Sequence, residues 1–161
     1  MISPKSPTQP PGSSASADVE ALARRHWRLG WWAIAVFGSV GLVLETLHGF
    51  KVGAYLDVSS ETRRLMWTLA HAHGTLLGLV HLAFAATLHH AAPAPARVRL
   101  ASTALSGALL CLPLGFFLGG LRFYAGDPGV GIIVVPVGAV LLIAGAVLTA
   151  RAVSTNEPAG R

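Results

Sequence analysis

The stretch that decides the fold is "LAHAHGTLLGLVHL", residues 69–82, in which His71, His73 and His81 interrupt a run of apolar residues. The run belongs to a longer apolar segment, residues 65–88, which is close to the ~20 residues that cross a bilayer as an α-helix. Apolar and polar residues do not alternate with period two, so the pattern does not indicate a strand of a membrane barrel. The stretch therefore predicts a membrane-spanning helix that carries imidazoles into an apolar environment.

The composition of the whole chain is also that of a membrane protein. Of the 161 residues, 53% are hydrophobic and 12% are charged, whereas a soluble domain carries roughly 25% charged residues. The net charge of +5 does not gather into a basic groove, so we predict no nucleic-acid partner. The single cysteine, Cys111, lies inside an apolar run, which excludes a disulfide and indicates a small buried residue.

Four apolar segments of bilayer length follow one another along the chain. They predict an all-α fold, an integral membrane four-helix bundle whose first partner is the lipid bilayer. The Pro- and Ser-rich residues 1–19 predict a disordered tail, residues 20–153 form the four-span transmembrane domain, and residues 154–161 form a short C-terminal tail. The predicted spans are residues 29–48, 65–88, 100–121 and 130–150.

The distribution of positive charge predicts the side on which the chain ends lie. With four spans both termini share one side, and that side, with the second link, holds most of the Lys and Arg residues. The positive-inside rule therefore predicts cytoplasmic termini. The Trp and Tyr residues lie near the predicted span ends, as in an aromatic belt. The histidines expected in solvent at the cytoplasmic interface are His26, His89 and His90.

Polar residues and glycines recur together at spacings of three and four on each of the first two spans. Such spacing places them on one helical face, and small residues on that face let helix backbones approach closely. Each stripe is therefore expected to face another helix and to carry its polar groups inward. The first stripe is Gly38, Gly41, Glu45 and His48, and the second is Trp67, His71, Gly74, Gly78 and His81.

Glu45, His48 and His71 are the leading site candidates because they lie at a similar depth near the outer ends of their spans. An ionised carboxylate at membrane depth has to be paired, protonated or metal-bound. Helical di-metal sites use a Glu and a His one turn apart, and a histidine from a second helix would complete a site for iron, copper or zinc. Histidines on facing helices also ligate haem.

Three further residues are placed relative to that site. His73 is turned about 200° from His71 at roughly 100° per residue, so it is the reserve cofactor-binding residue. Arg122, in the link on the same side, would bind an anionic group or a haem propionate. His81 lies about 15 Å deeper than His71 at 1.5 Å per residue, where it would either extend a polar track or act as a packing partner.

The segment "AHAHGTLLGLVHLAF", residues 70–84, resembles two membrane families. One is the hydroxylaminobenzene mutase-like group of small four-helix bacterial membrane proteins, which similarly places a His ahead of small residues in the second span. The other is subunit I of the haem-copper oxidases, in which a His-Gly-Thr-like run carries a haem ligand. The first resemblance implies a bacterial cytoplasmic membrane, and the second implies that His73, before Gly74 and Thr75, is the ligand.

Three functions follow from these observations. The leading hypothesis is a redox protein that binds haem, iron or copper, with Glu45, His48 and His71 as metal ligands. The second is a metal-free isomerase for a small lipophilic substrate, in which Glu45, His48 or another histidine moves protons. The third is a non-enzymatic structural membrane subunit. A homo-oligomer or a larger membrane complex is compatible with each of the three.

Overall fold

The computed structural model describes residues 12–57, 59, 61–91 and 95–154. These residues are almost entirely helical, and none of them belongs to a β-strand. Four of the helices are long and apolar enough to cross a membrane. The predicted all-α, multi-pass four-helix architecture is therefore confirmed. The helices are α1 (Gly12–Gly49), α2 (Gly53–Leu56), α3 (Glu61–Ala91), α4 (Pro95–Leu121) and α5 (Val134–Ser154), with a 3-10 turn (Val130–Ile133) before the last.

The helices extend beyond the predicted spans, and α1 does so most. Its 38 residues reach about 57 Å at 1.5 Å per residue, nearly twice the ~30 Å hydrocarbon core of a bilayer. This helix includes residues 12–19, which the sequence assigned to the tail. The remaining tail residues, 1–11 and 155–161, lie outside the described residues. The apolar segments of spanning length are Ser16–Gly49, Glu61–His90, Ala96–Leu121 and Val130–Ser154.

The four long helices pack in chain order. α1 lies along α3, α3 along α4, and α4 along α5, whereas α1 and α5 make no contact within the described ranges. One apolar cluster joins α1, α3 and α4 near the chain ends, and another lies between α3 and α4 with α5 packed against it. The two outer helices therefore present broad apolar faces to the surroundings, including Trp31, Trp32, Val140 and Ile143.

Glycines allow α1 and α3 to approach closely. A Cβ atom built on Gly30 would lie 2.8 Å from the carbonyl oxygen of Gly78, and one built on Gly74 would lie 2.2 Å from the ring of Phe37. Real side chains do not tolerate such separations, so the contact depends on residues without a Cβ. The glycines of the second predicted stripe therefore face α1, as expected from their spacing.

One detail differs from the sequence-based expectation. Trp67, predicted to share the α1-facing stripe, instead stacks on Phe117 of α4 with 5.7 Å between ring centroids. Pro136 lies in the first turn of α5, which begins at Val134. A proline is tolerated in the first turn of a helix, where the backbone N–H has no acceptor within the helix.

Candidate functional site

A cavity of about 400 Å³ opens at the end of the bundle opposite the chain termini. We term it the Glu45 cavity; it includes all three leading candidates, Glu45, His48 and His71. Its volume lies within the range of roughly 300–1,000 Å³ typical of small-molecule sites. The structure therefore brings together residues that the sequence placed on facing helical stripes. The lining residues are Gly38, Gly41, Leu42, Leu44, Glu45, His48, Tyr55, Thr68 and His71.

His71 is held in one orientation by the backbone of α1. Its Nδ1 atom lies 2.6 Å from the carbonyl oxygen of Phe37. A carbonyl oxygen only accepts hydrogen bonds, so Nδ1 carries the proton and Nε2 of the neutral ring keeps a lone pair. The ring rests against Gly41, where an added Cβ would lie 2.3 Å from Cε1. The interface thus presents an imidazole of defined tautomer, able to accept a proton or to bind a metal through Nε2.

Glu45 and His48 reach the cavity from the last turns of α1. Glu45 and His48 are three positions apart, which is nearly one helical turn, so the carboxylate and the imidazole lie on the same face of α1. Both side chains are exposed in the chain. A carboxylate in that position keeps contact with water or headgroups, so its charge does not require a buried partner or a metal ion.

Tyr55 and Thr68 complete the polar lining, and sequence reasoning did not identify them as site residues. Tyr55 was assigned to the aromatic belt, but it is only 6% exposed and belongs to the short helix α2. The Arg64 guanidinium donates to the carbonyl oxygen of Leu56 at 2.9 Å, which ties α2 to the start of α3. The spacing of Thr68, one turn before His71, was the signal that it shares the stripe.

The two remaining candidates do not enter the Glu45 cavity. His73 Nδ1 donates to the carbonyl oxygen of Leu69 at 2.8 Å, and its ring lies 4.8 Å from that of Phe116 on α4. Arg122 is exposed and is not part of the cavity lining. The histidine that an oxidase-like arrangement would use is therefore directed toward α4, away from Glu45.

The described residues also allow a test of the predicted metal site. Among them, no three His, Cys, Asp or Glu side chains lie close enough together to hold a metal ion. Glu45, His48 and His71 therefore share a cavity without forming a ready set of ligands. Metal or haem binding by these residues remains a prediction.

A second polar cluster, termed the His26 cluster, lies at the end near the chain termini and consists of His26, His81 and Ser102. His26 and His81 are both 0% exposed. The prediction that His26 is solvated is wrong, because α1 continues beyond its predicted span and packs this residue against α3 and α4. His81 belongs to this cluster and not to the lining of the Glu45 cavity. His89 and His90, predicted to be solvated, are exposed on the chain.

Hydrogen bonds join the His26 cluster across three helices. His26 Nδ1 lies 2.6 Å from His81 Nδ1, and His26 Nε2 lies 2.8 Å from Ser102 Oγ. His81 Nε2 lies 3.3 Å from the carbonyl oxygen of Leu105. The two rings are nearly parallel, with 4.6 Å between centroids and 19° between planes, and Phe84 meets the His26 ring edge-on. This arrangement satisfies all four imidazole nitrogens without solvent.

The carbonyl group at one end fixes the proton positions along the cluster. Leu105 can only accept, so His81 carries its proton on Nε2 and offers a lone pair at Nδ1. His26 must then donate from Nδ1, which leaves a lone pair on Nε2. Ser102 donates its hydroxyl proton to that lone pair. In the neutral cluster, the three hydrogen bonds therefore all donate in the same direction along the chain of groups, from the Ser102 hydroxyl to the Leu105 carbonyl oxygen.

Comparisons of the chain with protein-family models, curated proteins and solved structures found no match.

Proposed function

We propose that the Glu45 cavity is a metal-free acid–base site that isomerises a small lipophilic substrate. The supporting observation is that a carboxylate and an imidazole of defined tautomer, Glu45 and His71, line one cavity of about 400 Å³. The cavity lies at the end of two membrane-length helices. A substrate dissolved in the bilayer therefore has a short path to it.

Isomerisation suits this pair because it changes bonding without changing the atoms present. A proton must leave one atom of the substrate and return at another, and no oxidant or reductant is consumed. The Glu45 carboxylate and Nε2 of His71 are the two acceptors that can take up and return this proton, with His48 beside Glu45. Positioned acid–base groups of this kind accelerate reactions by about 10²–10⁴-fold. Leu42 and Leu44 supply the apolar walls that favour a lipophilic molecule.

The resemblance to the hydroxylaminobenzene mutase-like group supports a specific probe. Hydroxylaminobenzene is a small, lipophilic aromatic molecule, and its rearrangement to an aminophenol is an isomerisation. The position of His71 ahead of Gly74 and Gly78 is the part of the resemblance that coincides with the cavity. We therefore take arylhydroxylamines as the substrate class to test first.

Replacing Glu45 by glutamine should lower the rate of aminophenol formation by about 100-fold or more, because the amide cannot take up the proton. The assay uses the purified full-length chain in detergent, with products separated by chromatography. Glu61→Gln is the matched control, since Glu61 is an exposed carboxylate at the same end of the bundle and should retain the rate.

Two results would contradict the proposal: no conversion by the wild type, or an unchanged rate in Glu45→Gln. Elemental analysis and an absorption spectrum of the same preparation distinguish the redox alternative. A haem Soret band, or iron or copper at one equivalent per chain that is needed for activity, would favour metal chemistry. Full activity after chelator treatment is the result we expect.

We also propose that both termini are cytoplasmic and that the Glu45 cavity faces outward from a bacterial cytoplasmic membrane. The excess of Lys and Arg on the terminal side supports this orientation. A reporter fused after Arg161 should be active in the cytoplasm, and one inserted near Ser59 should be active outside. The reverse pattern would place the cavity on the cytoplasmic side. A homo-oligomer or membrane complex remains a prediction.

A further inference from the structure

We propose that the His26 cluster is a second active site, in which Ser102 is the nucleophile of an acyl-transfer reaction on lipid esters with anionic headgroups. This proposal does not depend on the function of the Glu45 cavity. His26 is the general base, and His81 is a positioning residue that orients it. The reaction class is ester hydrolysis through an acyl-serine intermediate.

The geometry matches what an activated serine requires. Such a site needs a hydroxyl within hydrogen-bond reach of a base, and the base must itself be oriented by a third group. Ser102 Oγ lies 2.8 Å from His26 Nε2, and His26 Nδ1 lies 2.6 Å from His81 Nδ1. The three residues come from three different helices, so the arrangement is a product of tertiary packing and not of local helix geometry.

The tautomers of the two histidines leave a lone pair on the base that faces the nucleophile, as catalysis requires. The Leu105 carbonyl oxygen holds the His81 proton on Nε2, and His81 in turn holds the His26 proton on Nδ1. The lone pair of His26 is thereby directed at the Ser102 hydroxyl. A His26 ring with the opposite tautomer would donate to Ser102 and could not accept its proton. Phe84 packs edge-on against the His26 ring and limits its rotation.

A cavity of about 460 Å³ reaches Ser102, whose side chain is buried and 2% exposed. Arg25 and Arg99 line it together with one carboxylate, Asp18, which pairs with Arg99. Two guanidinium groups against one carboxylate leave a net positive charge, which favours a phosphate-bearing headgroup. The remaining lining residues are Ala21, Leu22 and Thr103.

The position of this cavity also indicates a lipid. Leu22 lies on the part of α1 that precedes the predicted span, beside the Arg residues that flank it. A lipid with its headgroup on Arg25 and Arg99 would place its ester near Ser102 and its acyl chain along the apolar helices. This is the depth at which Lys and Arg side chains commonly meet phosphate groups of the membrane interface.

The proposed reaction is balanced without any cofactor. Ser102 Oγ attacks the acyl carbonyl carbon, and its proton passes to His26 Nε2. The bond between the carbonyl carbon and the alcohol oxygen breaks, and the departing alcohol takes that proton. Water then attacks the acyl-serine with His26 again as the base, which releases the fatty acid.

A fluorophosphonate probe tests the nucleophile directly, because an activated serine displaces fluoride from phosphorus and keeps the phosphonyl group. The full-length wild type in detergent should gain one probe mass, mapped by peptide mass spectrometry to Ser102. Ser102→Ala should gain none. Ser106→Ala is the matched control: Ser106 lies one turn further along α4, and its buried hydroxyl has no partner among the described residues. The Ser106→Ala variant should be labelled at Ser102 at the wild-type rate.

His26→Gln tests the base while keeping one hydrogen-bond donor and one acceptor at that position. Its labelling rate should fall by about 100-fold or more, with the melting temperature and elution volume used to confirm that the variant is folded. A folded His26→Gln protein labelled at the wild-type rate would overturn the proposal. So would a wild type that remains unlabelled, or one labelled at another serine; the cluster would then be only an interhelical hydrogen-bond network.

The headgroup is tested by protection from the same probe. Lysophosphatidic acid should slow the labelling of Ser102 by at least about tenfold more than lysophosphatidylcholine with the same acyl chain at the same micellar concentration. Arg25→Gln should reduce that difference. Equal protection by the two lipids in the wild type would overturn the anionic-headgroup assignment, and release of fatty acid from lysophosphatidic acid by the wild type but not by Ser102→Ala would support the full reaction.

Discussion

Replacing His81 by alanine should lower the free energy of unfolding by about 3 kcal/mol, the largest loss that we expect from any single histidine in this chain. His81 is fully buried and contacts both α1 and α4, through His26 and the carbonyl oxygen of Leu105. Alanine would remove these two interhelical hydrogen bonds, leave the His26 Nδ1–H group without its acceptor, and open a void between three helices. All three consequences destabilise the fold.

His73→Ala is the matched control for that prediction. His73 lies in the same helix, but its Nδ1 atom bonds to the carbonyl oxygen of Leu69 one turn away in α3. Its loss should therefore cost no more than about 1 kcal/mol, because it removes a single hydrogen bond within one helix. Reversible unfolding of both variants in mixed micelles measures the difference. Equal losses at the two positions would show that the His26 cluster contributes no special stability.

The sequence alone was sufficient to predict the four spans and the cavity stripe. Apolar length identifies a membrane helix because hydrocarbon imposes a fixed thickness. The spacing of Glu45, Gly41 and Gly38 identified one face of α1, and the spacing of His71, Gly74 and Gly78 identified one face of α3. Because helix periodicity is fixed, each face could be identified from the sequence, whereas the structure shows which helix it meets.

The His26 cluster was missed because α1 continues to pack against α3 and α4 beyond the end of its apolar span. The apolar length of a span does not reveal such packing. Arg24, Arg25 and Arg28 suggested that the span begins near Leu29. The helix continues, however, and its inner face stays in contact with α3 and α4. A usable signal was present, since His26 lies four residues before Gly30 and so continues the α3-facing side of α1.

Ser102 and Tyr55 could not have been assigned from local sequence. A serine inside an apolar helix usually bonds to its own backbone, and only the tertiary structure shows that Ser102 bonds to an imidazole on another helix. Tyr55 belongs to a four-residue helix whose position is set by contacts with the start of α3. Such contacts join residues that no sequence period connects.

The two polar clusters occupy opposite ends of the α1–α3 interface. His71 and His81 are ten residues apart in one helix, which corresponds to about 15 Å along the axis. Gly74 and Gly78 lie between them, where side chains of α1 fill the contact. We therefore expect substitutions in the Glu45 cavity to leave labelling of Ser102 unchanged, and substitutions in the His26 cluster to affect the cavity only through stability.

The comparison of His71→Ala with His73→Ala tests the central claim most directly, because the two residues share one helix and differ in the helix that they face. In the hydroxylaminobenzene assay, His71→Ala should reduce turnover by about 100-fold, since it removes the only α3 imidazole that lines the Glu45 cavity. His73→Ala should keep most of the wild-type rate. Loss of activity in His73→Ala with an active His71→Ala would contradict the account and would place the functional histidine on the side of α3 that faces α4.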